Sequence, residues 1–281
     1  MRYKLSWFAL LIVAGNSLAA IADTWKVERL AYNLDTAEGP LWDAAGKLYY
    51  TEIFANRVHE YTVASGEFRL VRLDSGGANG MAFDAAQRIL MCEMLGKRVS
   101  RLEPDGTVTT LWEAEHSGKG GPNDIVVSAS GNIYFTMPRH SCIYRITPDG
   151  SVAPFVSDLA GVNGVMLSQD ESTLYATEYK QRKVHAFPLN ERTGTIGARR
   201  LFAQIQTEGT EHGADGMAVD DEDRLYVACL GGVWIYDPQG QQVGFIPLSG
   251  ESVTNCAFGD TSNRLFITTQ KGLFYADRLE E

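Results

Sequence analysis

Hydrophobic and polar positions alternate along this chain in short runs, and one such pattern returns six times. A turn is followed by Leu/Ile-Tyr/Phe-like pairs and a β-branched or small run: WDAAGKLYYTE from Trp42, FDAAQRILMCE from Phe83, VSASGNIYFTM from Val127, LSQDESTLYATE from Leu167, VDDEDRLYVAC from Val219 and FGDTSNRLFITT from Phe258. Successive starts lie 41, 44, 40, 52 and 39 residues apart, the period of a four-stranded propeller blade rather than of helical repeats. In the second unit the pattern predicts strands at about 79–83, 88–94, 97–103 and 106–112, split by Asp-Ala-Ala-Gln, Leu-Gly-Lys and Pro-Asp-Gly turns. No stretch after residue 23 sustains a helical period. The expectation is therefore an all-β protein, a six-bladed β-propeller filling residues 23–281 as a single domain. The last repeat supplies only three strands, so the strand-like run at 24–33 is expected to close the last blade and remove its exposed edge. The Tyr and Phe pairs of the repeats are expected to pack between blades.

Four residues before each repeat start stand Glu38, Asn79, Asn123, Asn163, Asp215 and Thr254. If each first strand is the innermost of its blade, these six form a ring at one mouth of the central channel. The antiparallel second strands return to the same mouth, carrying Glu52, Glu93, Met137, Glu178, Cys229 and Thr269. Asn-Gly and Asp-Gly pairs are also ordinary turn formers, but six oxygen-bearing side chains in one register favour a built site. Amide and carboxylate oxygens of this kind suit one divalent metal ion: Ca, Mn or Mg, with Zn a less natural choice without His or Cys ligands. Such a metal would polarise a carbonyl while a neighbouring carboxylate takes a proton from water, which is ester or lactone hydrolysis without a nucleophilic serine.

Composition narrows the partners. Residues 1–22 read as a secretory signal peptide with a charged start, a short apolar core and an Ala20-Ile21-Ala22 cleavage site. Export, periplasmic or secreted, is the expectation, with no membrane association afterwards. Without Arg2 and Lys4 the chain keeps 23 basic and 35 acidic residues, a net charge of −12. That charge repels phosphate backbones and argues against a nucleic-acid partner. A closed fold without a free edge is expected to be a monomer. Of the four cysteines, Cys92, Cys229 and Cys256 sit in apolar runs as small buried side chains, and at most one disulfide is expected. There is no G-x-S-x-G elbow and no zinc-site spacing. Gly118-Lys119-Gly120-Gly121 lacks phosphate-loop spacing, leaving Lys119 as a rim contact for substrate, and His212, three residues before Asp215, is a candidate to face the mouth.

The segments Glu38-Gly39-Pro40-Leu41-Trp42, Pro122-Asn123-Asp124, Val162-Asn163-Gly164-Val165, Asp215-Gly216-Met217-Ala218-Val219-Asp220 and Thr254-Asn255-Cys256-Ala257-Phe258-Gly259 together resemble the gluconolactonase, regucalcin (senescence marker protein) and luciferin-regenerating enzyme family. The resemblance runs from about residue 30 to the end. It implies a metal-dependent lactonase acting on a small lactone or ester, with the metal held by Glu38, Asn163 and Asp215, Asn123 contacting substrate, and Asp215 as general base. Asn79 and Glu93 become further pocket candidates. The chain departs from the sugar-lactonase pattern at Gly118–Gly121, at Ala214 and at Met94. A non-catalytic propeller, its metal merely plugging the channel while a face binds protein or saccharide, is the alternative reading. A phosphotriesterase-like activity in the same pocket is a third.

Overall fold

Turns cut the chain where the repeat places Asp or Ser. Asp43 Oδ1 accepts the Ala45 N–H at 2.8 Å, Asp84 Oδ1 that of Ala86 at 2.9 Å, and Asp220 Oδ1 that of Glu222 at 3.0 Å. Each carboxylate thereby closes its own turn, so the flanking alternating runs fold back as antiparallel strands. In the computed structural model, which describes residues 25–114, 120–207, 209 and 212–279, all extended structure follows this scheme. The expected signal segment 1–22 and Lys119 lie outside the described residues.

Strand β1 spans Trp25–Tyr32. The first sheet holds β2 (Ala37–Asp43), β3 (Lys47–Glu52), β4 (Arg57–Thr62) and β5 (Glu67–Leu73); the second holds β6 (Ala78–Phe83), β7 (Ile89–Glu93), β8 (Arg98–Leu102) and β9 (Val108–Glu113). The third contains β10 (Ile125–Val127), β11 (Ile133–Met137), β12 (Cys142–Ile146) and β13 (Val152–Val156). In the fourth, β14 (Val162–Leu167) and β15 (Thr173–Glu178) lead to β16 (Lys183–Asn190), which pairs both β17 (Thr195–Ile196) and β18 (Arg200–Gln204). The rest of the chain forms β19 (Met217–Val219), β20 (Leu225–Tyr236), β21 (Gln242–Phe258), β22 (Arg264–Thr269) and β23 (Gly272–Arg278). In the second repeat the observed strands lie within two residues of those read from the pattern.

The blade count departs from the sequence expectation. Six repeats give five hydrogen-bonded sheets, because the fifth and sixth share one six-stranded sheet in the order β1-β23-β22-β21-β20-β19. The cause is continuity of two strands. Leu225–Val227 of β20 pair with β19, while Gly232–Tyr236 of the same strand pair with Gln242–Pro247 of β21. Strand β21 then runs on without a break, and its segment Val253–Phe258 pairs with β22. The fold is nonetheless an all-β propeller. Its inner strands β2, β6, β10, β14, β19 and β21 contact one another in cyclic order.

The core lies between neighbouring sheets. Tyr50, Tyr134, Phe135, Tyr175, Tyr226 and Phe266, from the paired aromatic positions of the repeats, are all buried. Trp42 stacks on Phe266, with ring centroids 5.2 Å apart, and so packs the first sheet against the last. All four cysteines are buried and free. Strand β1 pairs antiparallel with β23 from Trp25↔Arg278 to Tyr32↔Gly272, and Trp25 packs edge-on against Tyr226. Trp25 is buried, so its removal leaves a cavity at the outer edge of the largest sheet. Trp25→Ala is expected to lower unfolding stability by about 3 kcal/mol, read as a shift of the urea midpoint at constant m; a shift too small to resolve would mean that β1 contributes no packing to that sheet.

Candidate functional site

The positions that the repeat puts in register do meet. Glu38, Asn79 and Asn163 sit near the starts of β2, β6 and β14, Thr254 lies within β21, and Asn123 and Asp215 stand two residues before β10 and β19. Each is held by the neighbouring repeat. Thr51 Oγ1 donates to the Asn79 carbonyl at 3.1 Å, Thr136 Oγ1 to the Asn163 carbonyl at 2.6 Å, and Thr177 Oγ1 to the Asp215 carbonyl at 3.0 Å. In the last repeat Thr254 Oγ1 donates to the Ala37 carbonyl at 2.6 Å and meets Thr268 Oγ1 at 2.9 Å. Thr51, Thr136 and Thr177 stand one position before the strand ends read from the sequence. They fix the main chain of the next ring residue, a role that a reading confined to strand ends overlooks.

The residue after each ring position decides what fills the axis. Four of the six are glycine, and they leave no room for a side chain. A Cβ on Gly164 would come within 2.3 Å of the Asp215 carbonyl oxygen, and one on Gly216 within 2.0 Å of Asn255 Cγ. At the other two positions the side chains of Asp124 and Asn255 occupy the freed space. Both are buried. Asn255 Nδ2 donates to Glu38 Oε2 at 3.1 Å, and Asp124 Oδ2 accepts the Val165 N–H at 3.0 Å. Neither was singled out as a site residue from sequence. The signal was the break in an otherwise glycine-filled column.

Beyond Asp124 and Asn255, the opposite end of the channel holds a cavity of about 500 Å³ lined by the far halves of the inner strands. Trp42, Phe83, Val127, Val219 and Phe258 are among its lining residues, and none of the six ring residues is. The ring and this cavity are separate places.

Glu38 and Asp215 form the electrostatic centre of the ring. Burial pushes the Glu38 carboxyl well above the usual range, and the charges of Asp215 and Asp124 push it further, against the Gly39 N–H and the Asn255 amide. Asp215 is likewise raised by burial, although His212, Asn163 and the Gly216 N–H pull the other way. Burial lifts Asp124 to about 7. Three buried carboxyls facing one another resist ionisation unless a cation joins them. One atom is conspicuous: Asp215 Oδ1 is buried and has no hydrogen-bond partner among the described residues. An unpartnered carboxylate oxygen beside a second carboxylate and an amide fits a hard divalent cation. Among the described residues no three His, Cys, Asp or Glu side chains cluster as a ready ligand set; the Asn163 side chain, which pulls the Asp215 pKa down against burial, is an amide oxygen donor beside it.

His212 reaches the centre from the side. It is buried, with Nδ1 2.8 Å from the Tyr179 hydroxyl, Nε2 2.6 Å from the Val253 carbonyl and 3.3 Å from Asp215 Oδ2. Burial opposes its charge, but Asp215 and the Val253 carbonyl outweigh that and hold its pKa above the ordinary value. Asn123 is half-buried in the ring, and its carbonyl accepts the Gly80 N–H at 2.8 Å.

The carboxylates at the second-strand ends do not join this centre, contrary to the expected gathering of five. Glu93 lies between Arg72 (2.8 Å) and Arg98 (2.7 Å) and accepts the Ser100 hydroxyl; its carboxyl is lowered because these partners outweigh burial. Glu52 faces His59 Nε2 at 2.7 Å and accepts the Asp35 N–H. Glu178 repeats the arrangement with His185 at 2.9 Å and the Ala160 N–H. Glu52 and Glu178 thereby pin the loops that lead into β2 and β14, whereas Glu93 ties side chains of β5 and β8 together.

The buried carboxyls make stability depend on pH with a definite sign. Unfolded, they release their protons near pH 4; folded and metal-free, they hold them to higher pH, Asp124 to about 7. The folded state then binds more protons between those values, and stability falls as pH rises from about 4 to about 7. Urea titrations of metal-free protein are expected to show that fall, and to show less of it for Asp124→Asn. A flat profile in metal-free protein would contradict the charge arrangement.

Residues 36–271 match the SMP-30/Gluconolactonase/LRE-like region. The chain is 25% identical to gluconolactonase of Zymomonas mobilis subsp. mobilis, covering 89% of this chain and 81% of that protein, and 26% identical to regucalcin of Gallus gallus, covering 83% and 82%. It superposes on the solved structure of the gluconolactonase XC5397 from Xanthomonas campestris with a TM-score of 0.81 and 29% identity, covering 94% and 93% of the two chains. With its ring of oxygens at one mouth of a propeller, this chain belongs to the SMP-30/gluconolactonase/LRE-like family.

Proposed function

We propose that the protein is an exported, divalent-metal-dependent hydrolase of a lactone or related small cyclic ester. The observation that carries this reading is the buried Asp215, with one oxygen unpartnered among the described residues and its charge acting on the buried Glu38. Glu38, Asn163 and Asp215 would hold the metal. When bound, the cation supplies positive charge that polarises a carbonyl and stabilises the oxyanion formed on attack. Asn123 orients the lactone, with Asn79 and Lys119 as further contacts and Glu93 acting only through the arginines it holds. His212, 3.3 Å from Asp215 Oδ2, orients the carboxylate that takes a proton from water. Burial raises Asp215 toward the range in which a carboxylate is an effective base. Water adds to the carbonyl carbon, the ring acyl C–O bond breaks, and the proton passes to the departing alkoxide, giving the open hydroxy acid.

The wider setting follows the same reading. The six-stranded sheet serves as two blades, since β20 and β21 change partner along their length, and β1 closes the last of six. Residues 1–22 direct export and are removed, leaving a monomer. At a net charge of −12 it has no nucleic-acid partner, and among the described residues no helix is long and apolar enough to cross a membrane.

Proton release on adding aldonolactones and aliphatic lactones, with Ca²⁺, Mn²⁺, Mg²⁺ or Zn²⁺ supplied, tests the proposal. Asp215→Asn is expected to keep the fold and lower kcat by about 10²-fold or more, and near-full turnover in that variant would remove Asp215 from the role of base. Glu38→Ala is expected to raise the metal concentration for half-activity at least about tenfold. An unchanged metal requirement would exclude Glu38 as a ligand.

A further inference from the structure

One side of the ring is apolar. Met94 follows β7, and its Sδ lies 3.9 Å from Asn79 Nδ2. Its main chain packs so closely on the neighbouring repeat that a Cβ on Gly121 would come within 2.0 Å of the Met94 carbonyl oxygen. Met94 thus stands between Asn79 and the Pro122-Asn123 segment. The next residue, Leu95, is 55% exposed, and the turn after β3 presents Phe54 at 59%. The two turns form one body. Asn56 Oδ1 accepts the Gly77 N–H at 2.7 Å, the Gly77 carbonyl accepts the Met94 N–H, and the Gly76 carbonyl accepts those of Leu95 and Gly96. Leu73, also exposed, ends β5 opposite Arg57 at the same end of the first sheet.

Exposed apolar side chains scattered singly need no explanation. These are clasped into a shoulder that starts inside the ring. The carboxylates nearest to it, Glu52 and Glu93, are already partnered by His59, Arg72 and Arg98. A substrate hydroxyl laid on Met94, Leu95 and Phe54 would lose water without gaining a partner, whereas a hydrocarbon would lose nothing.

We infer that the lactone taken at this mouth carries an apolar substituent of a few carbons, seated on Met94, Leu95 and Phe54, and that these residues set its preference over polyhydroxylated aldonolactones. This rests on the lactonase reading above. The substituent points from the ring toward the first sheet, and the polar lactone head stays with Asn123 and Asp215.

The test compares kcat/KM for γ-lactones with side chains from none to six carbons, and for an aldono-δ-lactone, using metal-loaded wild type, Phe54→Ser, Leu95→Ser and the double variant. Both side chains are exposed, so the variants are expected to fold, which circular dichroism checks. Wild type is expected to gain about threefold per added methylene and to favour the longer alkyl lactones over the aldonolactone. The double variant is expected to lose the chain-length dependence. Turnover independent of chain length, or an aldonolactone preference untouched by the substitutions, would overturn the shoulder while leaving lactonase activity standing. If no lactone is turned over, the lactonase reading fails by itself, and calorimetry with the matching hydroxyalkanoates decides the shoulder. Affinity rising with chain length and lost in the double variant upholds it; flat affinity overturns it.

Discussion

Main chains at the channel mouth approach to a distance that no side chain could share, and the site depends on that closeness. Gly164 lies against the Asp215 carbonyl and Gly216 against the Asn255 amide, each nearer than a Cβ permits. Closeness lets Thr177 reach across to Asp215 and Thr136 to Asn163, so these ring residues are fixed through their backbones before their side chains do anything. A ring assembled this way is rigid because each repeat is held by the next. The same glycines leave the axis open for Asp124 and Asn255, whose contacts with Val165 and Glu38 support the carboxylates at the mouth.

Electrostatics follows from this packing. Carboxylates that have cationic or imidazole partners serve the scaffold: Glu52 and Glu178 pin loops, and Glu93 ties neighbouring strands together. Those without a cationic neighbour, Glu38 and Asp124, are raised by burial and mutual repulsion, and Asp215 is raised even with His212 beside it. The protein therefore sorts its acids by partner rather than by position along the strand. That sorting separates carboxylates neutralised within the scaffold from those that burial holds against ionisation.

Much of the scaffold was legible. Alternation with Asp-containing turns gave strand positions in the second repeat within two residues, and the register of Glu38, Asn79, Asn123, Asn163, Asp215 and Thr254 anticipated which residues share one mouth. The number of separate sheets was not legible. The turn between β19's repeat and the next is absent as a break in pairing, because β20 and β21 run continuously through it. Period-two patterning marks where a strand lies and says nothing about where its partner changes. The second-strand glutamates were placed at the mouth for a similar reason, since sequence gives the end of a strand and not the arginine or histidine waiting across it.

By itself the sequence determined the all-β repeat, the spacing of its turns and the set of oxygen-bearing side chains in register. These depend on local rules: alternation, turn chemistry and period. Only the tertiary structure decided which of those side chains become a centre. Burial, the missing partner of Asp215 Oδ1, the plug of Asp124 and Asn255, and the apolar shoulder from Met94 to Phe54 all arise from residues far apart in the chain. Desolvation and charge depend on every atom within a few ångströms, and those neighbours are set by how the repeats close on one another.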